Sequence, residues 1–351
     1  LLDQTEQLDC GVELPPGLHY SDDARAGYTR RREHDKFVYY DTRGHCIDNE
    51  RTIKRINALA IPPAYRDVWI CPDSEGHIQA TGRDARGRKQ YRYNPLWCAV
   101  RDADKFAHLH EFGHALPKIR RRVEADLARR DFGRTRVVAA VVRLLDTTLI
   151  RIGNEKYARS NRSYGLTTLR TRHTEVKGDE IRFRFRGKSG VDHDVRISDP
   201  RVARIVKRCL EIPGQELFQW LDASGERHAI GSADVNAYLK DIAAEDFSAK
   251  DYRTWAGSVA AFDLLHRLEA DALSNRPKAV VAIIKDVAKR LANTPAICRK
   301  CYVHPIVVER FLEDALPIIK TPAAPRLLRA EERRFLAFLD NSAARAHEQA
   351  V

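Results

Sequence analysis

The chain has 351 residues, enough for two or three domains with real cores, and its 43% hydrophobic and 31% charged content excludes a wholly disordered polypeptide. Its 61 Lys and Arg outnumber 49 Asp and Glu, a formal charge of +12, which favours a polyanionic partner, nucleic acid ahead of an anionic membrane surface. No apolar run approaches the ~18 residues a bilayer span needs, and no cationic-then-apolar leader opens the sequence, so neither a membrane anchor nor a signal peptide is expected.

In chain order, a polar stretch over 1–34 carries a basic tract at Arg30-Arg31-Arg32. Short aromatic and β-branched runs follow at 37–40, 68–71, 77–81 and 91–93, each closed by Gly, Pro, Asn or Asp, which predicts a small antiparallel sheet. One helix is expected over 50–59, stopped before Pro62-Pro63. These pieces define an N-terminal β-rich domain over 1–98 and leave 99–351 as a larger, mainly helical domain. In the second domain, 103–129 reads as helix, and Val137, Val138, Val141, Leu144, Leu145 and Leu149 recur at helical spacing. The cationic stretch between them includes Arg120, Arg121 and Arg122, which we assign to a phosphate-facing stripe in preference to a merely solvated helix face. Period two then takes over: Ile181, Phe183 and Phe185 share one face of a strand, while Arg182, Arg184 and Arg186 share the other. Gly187-Lys188-Ser189-Gly190 turns it into a second strand at 191–197, and Arg184 and Arg186 become candidate DNA contacts on the hairpin. Helices are expected at 200–211, 232–243, 253–273, 277–292 and 303–314, with an amphipathic tail helix at 327–349 packed on the body.

The seven cysteines are scattered and odd in number, which suits buried thiols in a reducing, cytoplasmic compartment. Cys298 and Cys301 form a CxxC, but no second pair completes a tetrahedral site, so no metal and no cofactor are expected. His173, His193 and His304 have no evident ligand partners and read as structural or supporting groups.

A basic chain with a helical body and a cationic hairpin has the parts for one kind of metal-free chemistry, phosphodiester cleavage by tyrosine. A phenol near pKa 10 attacks only in a positive field, and fixed arginines answer the charge on the non-bridging oxygens. A lysine among other cations can protonate the departing 5′ oxygen. Arginine alone says little in this chain; order and context say more. Arg151-Ile-Gly-Asn-Glu-Lys-Tyr157 with Ser163-Tyr-Gly-Leu-Thr-Thr-Leu169, then Phe185-Arg-Gly-Lys188-Ser-Gly, Lys250-Asp-Tyr-Arg253-Thr-Trp-Ala and Cys301-Tyr302-Val-His-Pro305 together resemble the type IB DNA topoisomerases, in their compact poxvirus-like and bacterial branch.

The resemblance implies that Tyr302 attacks the scissile phosphate to give a 3′-phosphotyrosyl intermediate, that Arg151 and Arg253 hold the non-bridging oxygens, and that Lys188 is the general acid. Asn293 stands where the poxviral enzymes have a histidine; its amide can donate a hydrogen bond to phosphate but brings no charge. It further implies an α+β clamp around double-stranded DNA, with Gln90, Tyr91 and Tyr93 of the N-terminal sheet facing the duplex, and a monomer that relaxes supercoils at the nucleoid without ATP. A tyrosine recombinase with the same nucleophile, or a non-catalytic DNA-binding protein, are the competing readings; Asn293 and the aromatic-rich N-terminal sheet favour the topoisomerase.

Overall fold

The computed structural model describes residues 14–34, 36–85, 87–268, 274–323 and 327–350. The start of the chain and the end of the helix expected over 253–273 lie outside the described residues. The chain divides into two compact units, Leu1–Phe106 and Ala107–Val351. The architecture is α+β: an antiparallel sheet in the first unit, a larger and mostly helical second unit. No helix among the described residues is long and apolar enough to cross a membrane.

The first unit is a five-stranded sheet of β1 (Tyr28–Glu33), β2 (Lys36–Tyr40), β3 (Arg66–Ile70), β4 (Ile78–Arg83) and β5 (Lys89–Tyr93), in the order β2-β1-β3-β4-β5 with every pairing antiparallel. Helix α1 (Glu50–Ala58), capped by the Asn49 side chain, places Ile56 against Val68, Ile70 and Ala80 to form the core. The basic tract, expected within a polar stretch, is in fact the interior strand β1. Its arginines are absorbed by local partners: Arg30 lies over the Phe37 ring at 4.2 Å and donates to the carbonyls of Ile61, Pro62 and Tyr65, while Arg31 lies over Tyr40 at 4.7 Å.

Helix α2 (Pro95–Leu127) runs through Pro117 and Gly113, and α3 (Arg134–Thr148) follows as the buried spine of the second unit, with Val137, Val138, Val141, Leu144 and Leu145 all at 0–1% exposure. After the short α4 (Glu155–Asn161), a three-stranded sheet forms from β6 (Thr174–Lys177), β7 (Glu180–Arg186) and β8 (Asp192–Ser198). The hairpin β7–β8 has the predicted alternation, with Ile181, Phe183 and Phe185 buried and Arg184 and Arg186 exposed. Strand β6 and the small ribbon β9 (Gln219–Leu221) with β10 (Arg227–Ala229) were not anticipated. Between and beyond them lie α5 (Pro200–Glu211), α6 (Ser232–Ala243), α7 (Ala249–His266), α8 (Arg276–Arg290), α9 (Pro295–Cys301), α10 (Pro305–Leu312) and α11 (Ala330–Ala350). Helix α7 is central: α3, α6, α8, α10 and α11 all pack against it. The tail helix α11 docks through Phe335 and Phe338, whose rings meet Trp255 and Phe262 of α7.

Candidate active site

Arg151 follows directly from the end of α3, where Leu149 adopts a left-handed cap and the chain turns extended. The segment 163–169 lies alongside it. Leu166 N–H donates to Arg151 O at 2.8 Å and Thr167 N–H to Ile152 O at 2.7 Å. A Cβ on Gly165 would sit 2.4 Å from Arg151 O, so this approach needs glycine. The Arg151 guanidinium, carried on this rigid backbone, donates to Asn293 Oδ1 at 2.5 Å and to Ala292 O at 3.3 Å.

Arg253 sits in the first turns of α7, whose start is fixed by Ser248 accepting from Lys250 N–H while Asp251 accepts from Ser248 N–H. It is 5% exposed. Its two terminal nitrogens are held by the carbonyls of Leu149 and Leu291, and its guanidinium carbon lies 5.3 Å from the centre of the Tyr302 ring. Its Nε is buried with no hydrogen-bond partner among the described residues. A buried donor of this kind is costly unless something supplies an acceptor.

Tyr302 closes α9, a helix started by Thr294 and Pro295, and its N–H donates to Cys298 O at 2.9 Å. The following turn is pinned to the middle of α7. Ser258 Oγ donates to Tyr302 O at 3.2 Å and accepts from His304 N–H at 3.0 Å. Gly257 allows the contact, because a Cβ there would lie 2.5 Å from Tyr302 O. Burial pushes the Tyr302 phenol up, but the charge of Arg253 first, then those of Arg151 and Lys188, hold it below its ordinary value.

Lys188 is exposed in the turn between β7 and β8, where Ser189 takes a positive φ of 65° and Gly190 N–H closes on Gly187 O at 3.1 Å. At the base of this turn His193 stacks on Phe185 with ring centres 4.8 Å apart. Burial first, then the charges of Arg151 and Arg253, lower its pKa below the ordinary imidazole value. Gly187 makes room for it: a Cβ there would be 2.6 Å from His193 Nε2.

The five residues named from sequence therefore gather from four separate places in the chain. Arg253, Arg151 and Lys188 act on one phenol, and Asn293 joins through Arg151. The role expected for Asn293 changes in one respect: its carbonyl oxygen is an acceptor for Arg151, and its amide nitrogen reaches only Leu291 O at 3.4 Å. Gly257 and Ser258 escaped sequence reading, although a small Ala-Gly-Ser step more than two turns inside a helix was an available signal, while His193 keeps the supporting place read for it.

The other named residues are not gathered here. Arg120 is a correction. It is 7% exposed and bonded to both Asp146 and Glu332, with donor–acceptor distances of 2.7–2.8 Å, so it cannot face phosphate. It points inward because positions 116, 119, 120 and 123 of α2 form its buried face. Arg121 is exposed, and Arg122 is exposed with its Nε 2.8 Å from Asp126. Arg184 reaches Glu175 at 3.6 Å, and Arg186 is exposed at the end of β7. On β5 of the first unit, Tyr91 and Tyr93 stack with ring centres 5.8 Å apart, and Gln90 donates to Asp84 at 3.1 Å. Of the CxxC, Cys298 is fully buried, and that burial pushes its thiol up to about 11, which makes it a poor metal ligand or redox nucleophile.

Two family models match the chain. That of the eukaryotic DNA topoisomerase I catalytic core matches residues 89–318, which contain Arg151, Lys188, Arg253, Asn293 and Tyr302. The chain belongs to the type IB DNA topoisomerases. The model of the bacterial DNA topoisomerase IB N-terminal domain matches residues 36–84, from β2 into β4. Relatives of this topoisomerase include DNA topoisomerase 1B of Acanthamoeba polyphaga mimivirus, 30% identical over 81% of this chain and 87% of the viral protein. DNA topoisomerase 1B of vaccinia virus is 23% identical over 70% and 75%. DNA topoisomerase 1 of Mycosarcoma maydis is 28% identical over 60% of this chain but 23% of the fungal protein. The two matches thus fall in both units of the chain, with the tail helix α11 beyond them.

Proposed function

We propose that Tyr302 is the nucleophile of this ATP-independent DNA topoisomerase, with Arg151, Arg253, Lys188 and Asn293 as its catalytic partners. The observation that carries the reading is the buried Arg253 guanidinium beside the Tyr302 ring, with its Nε lacking an acceptor among the described residues. A phosphate oxygen bound there would complete the hydrogen bonding of Arg253 and bring phosphorus to the phenol. Tyr302 Oη gives its proton to water and attacks phosphorus, the bond from phosphorus to the 5′ oxygen breaks, and that oxygen leaves with a proton from Lys188. The negative charge on the non-bridging oxygens is met by Arg253 and Arg151. Asn293 orients Arg151. The free strand rotates about the intact one, and the 5′-hydroxyl then attacks the phosphotyrosine to restore the backbone. The bond energy stays in the phosphotyrosine, so resealing consumes no nucleotide.

The same reading extends to binding. The two units act as a clamp on duplex DNA, with Gln90, Tyr91 and Tyr93 on one side and Arg121, Arg184 and Arg186 as phosphate contacts on the other. The enzyme works as a monomer in the nucleoid. Trapping tests the chemistry. A duplex whose cleaved 5′ end dissociates should leave a denaturation-stable adduct joined through a DNA 3′ phosphate, and its digest should map to Tyr302. An adduct mapped to another residue, or none, would contradict the proposal.

A further inference from the structure

We propose that His110, His114 and Asp340 form a binding site for one divalent transition-metal ion of the zinc class, which fastens the C-terminal helix α11 to α2. The two histidines are one turn apart on α2 and share a face. Their Nε2 atoms are 3.3 Å apart, and both approach the same carboxylate oxygen, Asp340 Oδ1, at 2.7 and 2.9 Å. Donors bound tetrahedrally at about 2.0–2.1 Å lie roughly 3.3 Å from one another, so the imidazole pair already has the required separation. The carboxylate oxygen needs to retreat by only a few tenths of an ångström. Two imidazole nitrogens and one carboxylate oxygen are a borderline donor set, suited to zinc and its neighbours rather than to magnesium or calcium.

The surroundings make this a built site. Between the two histidines, Gly113 brings three helices into contact: a Cβ there would fall 2.5 Å from the Trp255 ring of α7 and 2.9 Å from Leu336 of α11. Packing therefore holds the donors in register before any ion arrives. His110, His114 and Asp340 have side-chain exposures of 28%, 55% and 46%, which leave a path for the ion and a fourth position open to water. Two other groups of three donors exist among the described residues. In Asp222, Glu226 and His228, Asp222 is already spent on the turn it closes, accepting from Ser224 and Glu226 N–H. His19, Asp73 and Glu75 are all exposed, and Asp73 Oδ1 is engaged by Glu75 N–H at 2.8 Å. The site lies outside the reacting groups and adds a clasp to the helix that covers Trp255, two residues from Arg253.

The 351-residue protein, stripped with EDTA, is titrated with Zn²⁺ by calorimetry and thermal melting, and with Co²⁺ by visible absorption. The expected result is one equivalent bound, a Tm that rises with Zn²⁺, and a tetrahedral Co²⁺ spectrum. His114→Ala and Asp340→Asn should each weaken binding at least ~10-fold while melting cooperatively in EDTA, and Cys301→Ser should bind as the parent does. Absence of stoichiometric binding, undiminished binding in both site variants, or loss of binding in Cys301→Ser would overturn the proposal.

Discussion

In the proposed mechanism Asn293, a residue without charge, supports a charged transition state through Arg151. It holds Arg151 by its carbonyl oxygen, and a hydrogen bond to a charged group is worth about 1.5–3 kcal/mol. Asn293→Ala should therefore slow single-turnover cleavage by about 10–100-fold and leave DNA affinity nearly unchanged. Asn293→Asp should be worse than Ala, because a carboxylate there would neutralise Arg151 and repel the phosphate. Equal rates for the two variants would show that Arg151 needs no orienting partner. At this scale much of the site was legible. Arg151, Lys188, Arg253 and Tyr302 stand in distinctive local contexts, and one field acts on the phenol from all three cations. Arg120 was not legible. It sits in a run of three arginines that look alike in sequence, and its partners Asp146 and Glu332 are 26 and 212 residues away.

Among the elements, the decisive joint is between α7 and the turn after α9. Gly257 and Ser258 hold the backbone of Tyr302 and His304 against the helix that also carries Arg253. The proposed nucleophile and its proposed activating cation are thereby fixed to one helix. Gly257→Ala should push Tyr302 away, lowering cleavage by at least ~10-fold and costing about 1–3 kcal/mol of stability. Wild-type cleavage by this variant, measured in single turnover, would mean that the joint has slack. The regular elements around it followed from pattern: the hairpin β7–β8 from alternation and α3 from its apolar stripe. Strand β1 did not, because three consecutive arginines mask its alternation, and their stacking and carbonyl partners exist only in the folded sheet. Helix α9 is too short for a periodic signal, with seven residues between Thr294 and Tyr302.

For the molecule as a whole, the tail helix α11 is tied to the catalytic unit by a buried ion network, Arg120 with Asp146 and Glu332. Burial alone would raise the Glu332 carboxyl, but the hydrogen bonds and charge of Arg120 hold it below its ordinary 4.5. Its folded value is thus below its unfolded one. The contribution is complete above about pH 4.5 and is lost as the pH falls through the folded value. Glu332→Ala, which leaves Arg120 short of a partner in the interior, should cost about 3–5 kcal/mol at neutral pH and weaken the acid dependence of Tm. An unchanged melting curve would show the network to be dispensable. The wider account stands on Tyr302. Relaxation of supercoiled plasmid in EDTA and without ATP tests it most directly, comparing the parent protein with Tyr302→Phe. The parent should relax the plasmid fully, while the variant should bind DNA with the same salt dependence and relax none of it. Relaxation by Tyr302→Phe would contradict the account.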